Sequence, residues 1–275
     1  MDVEHEVARH YSHGNLEQAI LDALKAGGKA IEKLAPSDLS GADEFHLGWR
    51  AATAALAVDM DLTADLQLLD IGAGIGGPAR FFADAHGTHV TGIDLSEEYV
   101  RVASSLTHRC GLSGRVRFRQ ASALDLPFQD GSFDAATLIH VGMNIADKAG
   151  LFGEVRRVLK SGACFGIYDV MRMTGDEIPY PMPWAQTPDT SFVETPDTYR
   201  TLLTAAGFTV EQEANRRAFT LERWRQMQEQ AAAHGPQPLS LHTLIGPASR
   251  ERLGNVMTVL QQGTIAPIQM IARAA

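Results

Sequence analysis

The chain has 275 residues, 45% of them hydrophobic and 21% charged, with a formal net charge of −9. That length and composition support a sizeable folded core and exclude global disorder, while the negative balance argues against nucleic acid or an anionic membrane face as a general partner. Two cysteines, Cys110 and Cys164, make no disulfide framework, the start is acidic, and no run approaches the roughly 18 apolar residues of a membrane helix, so the expectation is a reduced, cytoplasmic protein.

Residues 3–60 read as helical, with Leu16, Ile20, Leu24, Ile31 and Leu34 near helical spacing and a second strong helix over 51–60. No strand precedes Leu66, so residues 1–60 are expected to form an N-terminal helical cap. From there the chain alternates. The patterns predict strands over 66–71, 88–94, 115–120, 133–139, 163–170, 208–214 and 264–272. Helices are predicted over 77–86, 96–110, 147–159, 196–206, 219–233 and 248–262. This alternation predicts an α/β fold, a doubly wound, mainly parallel sheet covered on both faces, with ligands at the rim formed by the strands' carboxyl ends. Residues 61–275 would form this Rossmann-like domain. Insertions at about 173–196 and 220–263 are expected to cover the rim, because loops at strand ends commonly carry binding residues. Arg115, Arg117 and Arg119 alternate along one strand face and read as a solvated edge.

The most informative turn is Asp70-Ile71-Gly72-Ala73-Gly74-Ile75-Gly76-Gly77, where an apolar strand runs into glycines and then a helix. Glycines there let the backbone approach a ligand closely, and the helix N-terminus presents free N–H groups. Gly72, Gly74 and Gly77 also satisfy the dinucleotide fingerprint G-x-G-x-x-G, and Asp94, closing the next strand, can accept ribose hydroxyls in either cofactor class. Asp70 separates the two readings. A carboxylate before the first glycine repels pyrophosphate but favours S-adenosylmethionine, which carries an ammonium and a sulfonium. An NAD-dependent dehydrogenase stays as the disfavoured alternative, and a non-catalytic cofactor-binding module as a third.

Four motifs stand in order: the glycine turn, Gly92-Ile93-Asp94-Leu95-Ser96, Leu126-Pro127-Phe128-Gln129-Asp130-Gly131-Ser132-Phe133-Asp134, and Val158-Leu159-Lys160-Ser161-Gly162. Together they resemble the class I S-adenosylmethionine-dependent methyltransferases over about residues 60–215. Gly76-Gly77-Pro78-Ala79-Arg80 resembles the small-molecule branch, methyltransferase type 11, and Asp43-Glu44-Phe45-His46-Leu47-Gly48 with Pro181-Met182-Pro183-Trp184-Ala185 is similar to sarcosine/dimethylglycine methyltransferases. The resemblance implies a seven-stranded sheet whose last strand enters antiparallel.

It also implies a cofactor shell. Asp70 would reach the ammonium, Gly72, Ala73 and Gly74 would meet the methionine portion through backbone, and Asp94 would bind the ribose. Leu95 would pack on adenine, and Ser122 with Ala123 would meet the adenine amine, Ser122 standing where the family often has aspartate. Tyr11 and His46 would lie near the methionine end, with Trp49 narrowing the entrance. His140, at the end of the fourth strand, is expected to touch cofactor or substrate and is the candidate base. Met143, Asn144, Trp184 and His242 are the substrate candidates, and no metal-ligand constellation is expected. The preferred reaction is transfer of a methyl group to a small molecule, preferably an amine such as a glycine derivative. The alternative is carbon or oxygen methylation of a lipid-like, quinone or aromatic acceptor. The chain is expected to work as a monomer or homodimer.

Overall fold

The computed structural model describes residues 3–11, 14–235, 238–246 and 248–275. The N-terminal segment contributes α1 (Val3–Tyr11), α2 (Leu16–Ala26), α3 (Pro36–Leu39) and α4 (Trp49–Asp59). The prediction of helix throughout 3–60 is corrected here: residues 27–35, with Ile31 and Leu34, and residues 40–48 form non-helical loops. The αL conformation of Gly48 (φ 101°) lets the chain turn from the second loop into α4.

The core then runs β1 (Gln67–Ile71), α5 (Gly77–His86), β2 (His89–Asp94), α6 (Glu97–Arg109), β3 (Val116–Gln120), β4 (Phe133–Ile139), α7 (Lys148–Val158) and β5 (Leu159–Arg172). It continues with α8 (Pro196–Ala205), β6 (Phe208–Asn215), α9 (Arg217–His234), α10 (Leu241–Ile245), α11 (Ser249–Gln262) and β7 (Ile265–Ala274). All seven predicted strands form, with β5 longer at both ends than its apolar run implied. Short 3₁₀ turns occupy Gly142–Asn144 and Pro188–Thr190.

The sheet order is β3-β2-β1-β4-β5-β7-β6, and β7 pairs antiparallel with both neighbours. The order reverses between β1 and β4, and this is the switch point whose carboxyl-end crevice binds ligands in open α/β sheets. Strand β1 is apolar because helices cover both of its faces; Leu68, Leu69 and Ile71 are fully buried. One face packs Leu69 and Ile71 with Leu151, Phe152 and Phe165, and the other packs Leu68 with Leu56, Phe82 and Tyr168.

Helix α6 starts at Ser96, whose hydroxyl accepts from the Tyr99 N–H. It turns Tyr99, Val102 and Leu106 onto Leu16, Ile20 and Leu24 of α2, so the N-terminal helices share a third cluster with the sheet domain. Arg115, just before β3, and Arg117 and Arg119 within it are held locally. Arg117 donates to Thr91, Arg119 to the Pro127 carbonyl and Arg115 to Asp65. Among the described residues no helix is long and apolar enough to cross a membrane.

Candidate cofactor and acceptor site

Gly72 and Gly77 show why the first turn has glycines. At Gly72 (φ +66°) a Cβ would fall 2.3 Å from Val141 Cγ2, so the turn from β1 can lie against the turn after β4 only without one. At Gly77 it would fall 1.9 Å from the Asp43 carbonyl oxygen, so the cap loop rests directly on the first residue of α5.

Asp70, in the switch-point strand, is 2% exposed. Its Oδ1 accepts from Thr137 Oγ1 at 2.8 Å, the side chain of its register partner on β4. Its Oδ2 is buried without a partner. Burial pushes the carboxyl up to about 7; the Thr137 bond opposes this, and Glu44 and Asp94 add to it. Asp94 ends β2 with Oδ2 accepting from the Gly74 N–H and Oδ1 from the Ser96 N–H, both at 2.9 Å. Burial raises it to about 6 against those backbone bonds. The Asp94 carboxylate keeps acceptor capacity for a hydroxyl donor.

An incompletely satisfied buried carboxylate calls for a cation, and a fixed carboxylate beside a glycine turn suits a ribose. These residues therefore fit S-adenosylmethionine: Asp70 for its ammonium, Asp94 for its ribose, and the Gly72–Gly74 backbone between them.

The opposite wall begins at His140, which adopts φ 54°, an unusual conformation for a residue with a side chain. Its N–H donates to the Tyr168 carbonyl at 2.8 Å, and its ring stacks on the Tyr168 ring at 5.7 Å and 14°. Its Nε2 has no hydrogen-bond partner. Burial first, and the neighbouring His46 second, hold its pKa well below the usual histidine value, so the imidazole is neutral at neutral pH. Asn144 joins three segments. Its Oδ1 accepts from Tyr11 Oη at 3.1 Å, and its Nδ2 donates to the Trp184 carbonyl at 2.8 Å. Burial pushes the Tyr11 phenol well above its ordinary range, so it stays a neutral donor.

The cap loop supplies the third wall. Arg80, fully buried in α5, donates to Asp43 Oδ2 and the Ile75 carbonyl at 2.8 Å, and to Thr107 Oγ1 at 3.1 Å. Glu44, next in sequence, accepts from Thr53 Oγ1 at 2.6 Å, from Arg50 Nε, and from His46 Nε2 at 2.9 Å.

These walls enclose a cavity of about 290 Å³. Of the residues singled out in the sequence, Asp70, Gly72, Ala73, Gly74, Asp94 and Leu95 line it, as do Ala123, His140, Tyr11 and His46. Met143, Asn144 and Trp184 also reach it, although Trp184 is 3% exposed and packs mainly with Met143, Val256 and Met257. Two candidates lie outside the lining. Ser122 donates to Glu4 of α1 and accepts from the Leu124 N–H at 3.0 Å, and His242 bonds Ser249 Oγ.

The structure adds residues that sequence reasoning passed over. Glu4 and Tyr99 line the cavity, and so does Trp224, which stacks on Trp49 at 5.9 Å and 16°. Trp224 lies on α9 between Arg223 and Arg225, where no apolar periodicity marks it. Among the described lining residues there is no lysine or arginine, whereas Glu4, Asp43, Asp70, Asp94 and Asp147 are present. No group of three or more His, Cys, Asp or Glu residues is arranged to hold a metal ion among the described residues.

Residues 69–167 match a family described as a methyltransferase domain. Sterol 24-C-methyltransferase ERG6B of Gibberella zeae is 38% identical over 114 residues, 42% of this chain and 30% of that protein. The chain thus spans under a third of that relative's length. In fold, the structure is similar to geranyl diphosphate C-methyltransferase from Streptomyces coelicolor A3(2), solved with Mg²⁺, geranyl diphosphate and S-adenosyl-L-homocysteine; the TM-score is 0.70 at 17% identity, covering 100% of this chain and 98% of that one. It is also similar to the [4+2]-cyclase SpnF, with TM-score 0.67 and 25% identity over 94% and 93% of the two chains. The matched segment holds the glycine turn and both acids, and the sheet order with an antiparallel last strand agrees with it: residues 69–167 carry a methyltransferase domain, about a third of the chain.

Proposed function

We propose that the protein transfers a methyl group from S-adenosylmethionine to a carbon atom of an uncharged, unsaturated, lipid-like acceptor. The observation carrying this reading is the acceptor end of the cavity. Trp49 stacked on Trp224, with Leu47, Met143, Val256 and Met257, supplies an apolar wall, and no lysine or arginine side chain lies among the described lining residues. A glycine derivative would bring a carboxylate toward Asp43, Asp70 and Asp94 with no cationic side chain to meet it, and burying such a charge unpaired is costly. The amine acceptor preferred from sequence therefore gives way to the carbon alternative. The sterol 24-C-methyltransferase relative supports the same choice.

The aromatic wall has a chemical use. Methylating an alkene carbon leaves a carbocation, and tryptophan faces stabilise a nearby cation by about 0.5–2 kcal/mol. The sulfonium methyl group is already activated, so positioning and exclusion of water are the main contributions asked of the protein. Asp70 and Asp94 would hold the donor, and His140 would face the reacting end as a neutral hydrogen-bonding group.

The test is to incubate the protein with methyl-labelled S-adenosylmethionine and, separately, a sterol with an unsaturated side chain, a quinol and dimethylglycine. Label in the sterol is expected. Label confined to dimethylglycine would return the amine reading. A second reading follows from the similarity to the [4+2]-cyclase: the same apolar cavity closes a ring without methyl transfer. An isomeric product with no label incorporated would favour it.

A further inference from the structure

We propose that His46 Nδ1 accepts the proton released by the methylated acceptor and that Glu44 is the residue positioning it; this rests on the carbon-acceptor reading above. Alkene methylation requires such a group. The methyl carbon–sulfur bond breaks with its electron pair going to sulfur, and the alkene π pair forms the new carbon–carbon bond. The resulting carbocation then loses a proton from the adjoining carbon, and that C–H pair becomes the new double bond. The proton needs an acceptor in a site closed to bulk water.

Two imidazoles are available, and their surroundings differ. Glu44 is fully buried, and its carboxylate lies 2.9 Å from His46 Nε2. Thr53 Oγ1, itself donating to Glu44, lies 3.0 Å from the same nitrogen. An Nε2–H proton is therefore shared between two acceptors, which leaves Nδ1 with the lone pair. That Nδ1 is buried without a partner, on a ring that lines the cavity. Burial alone would raise Glu44, but the hydrogen bonds from His46 and Thr53 and the charge of Arg50 hold it below its ordinary value, so the carboxylate stays ionised. A proton arriving on Nδ1 makes an imidazolium whose other N–H points at that carboxylate, the arrangement by which a buried acid stabilises a histidine base.

His140 has no such support. Its neighbours are the Tyr168 ring and His46, its ring 5.8 Å from that of His46, and a proton on it would meet no counter-charge. The groups facing His46 are Glu44 and Thr53 from the cap, His140 from the end of β4, and Tyr168 from β5; Arg50 binds Glu44 from the far side. His140 is left as a neutral hydrogen-bonding neighbour.

The first readout needs no acceptor. In ¹⁵N-histidine-labelled protein saturated with S-adenosylhomocysteine, nitrogen shifts should place the His46 proton on Nε2 and leave Nδ1 bare. Glu44→Ala should release a mixture of tautomers, while Glu44→Gln, which keeps an acceptor oxygen, should preserve the wild-type form. A proton on Nδ1 in the wild type overturns the proposal, and an unchanged tautomer in Glu44→Ala overturns the positioning role. The second readout uses the unsaturated sterol. His46→Gln should lose turnover on the order of 10²–10⁴-fold, far more than it loses affinity for S-adenosylhomocysteine. His46→Gly should regain turnover with added imidazole. An equal loss of S-adenosylhomocysteine affinity, or no rescue, sinks the proton-acceptor role. Wild-type protein that binds S-adenosylhomocysteine but methylates no sterol defeats the carbon-acceptor reading instead, and the tautomer still judges the Glu44–His46 pair.

Discussion

Asp70→Asn separates the folding cost of the site from its binding value. In the ligand-free protein the Asp70 carboxyl sits at about 7, raised chiefly by burial, against 3.8 for an ordinary aspartate. Between those values the native state binds a proton that the unfolded chain has already lost, so stability falls as pH rises from about 4 to about 7. At 1.36 kcal/mol per unit, the native state loses on the order of 4 kcal/mol across that window. The substituted amide keeps an oxygen for Thr137 and does not ionise. The stability of Asp70→Asn relative to wild type should therefore climb by a few kcal/mol between pH 4 and pH 8. Urea unfolding of both ligand-free proteins at the two pH values measures it. S-adenosylhomocysteine should reverse the ranking at pH 8, because its ammonium stabilises the ionised Asp70 and not the amide. At pH 6.5 about three-quarters of Asp70 is protonated by the same arithmetic, so wild-type binding should release most of a proton, visible in calorimetry as a heat that varies with buffer. A stability difference flat from pH 4 to pH 8 would refute the argument.

Asp94→Ala should weaken S-adenosylhomocysteine binding by roughly tenfold or more, since bonds to a charged acceptor are worth about 1.5–3 kcal/mol; a calorimetric Kd equal to wild type in the folded variant contradicts the ribose role. Arg80→Met leaves Asp43 with only the Arg50 guanidinium, 3.8 Å away and not hydrogen-bonded to it, and should cost up to about 3–5 kcal/mol of stability, whereas Arg80→Met with Asp43→Leu should recover most of it, as read by denaturant midpoints. His140→Ala should fold and turn over slowly, and His140→Asn should recover more activity than His140→Gln, because asparagine accepts φ near +54° more readily. Equal rates for the two amides would show that backbone conformation is not limiting there.

The inner strands were legible because each is a short apolar run, and burial on both faces leaves that pattern undiluted; the edge strands β3 and β6 instead alternate apolar with polar residues. The glycine turn and the two acids were legible for a local reason: strand, turn and acid lie within a few residues of each other. The loop over 40–48 was read as helix because the flanking segments are helical, and nothing local shows that Gly77 has to accommodate its backbone. Trp224 and Glu4 arrive from opposite ends of the chain, and only the docking of α1 and α9 on the sheet domain puts them at one cavity. Ser122 was considered by analogy with an aspartate; its hydroxyl here pairs with Glu4, a partner 118 residues away that no spacing rule anticipates.

The contact of the cap loop with α5 also bears on the order of assembly. The helices of residues 3–59 leave the ribosome before the sheet domain does, yet Leu16, Ile20 and Leu24 bury themselves against Ile75, Tyr99, Val102 and Leu106, and Asp43 pairs with Arg80. None of those partners exists when these residues emerge. These helices must wait, with their apolar stripe uncovered, until β1, α5 and α6 have been synthesised, and such exposed surface makes a nascent chain prone to misassociation. The segment that closes the site is thus made before the elements it docks on, and its docking waits for them.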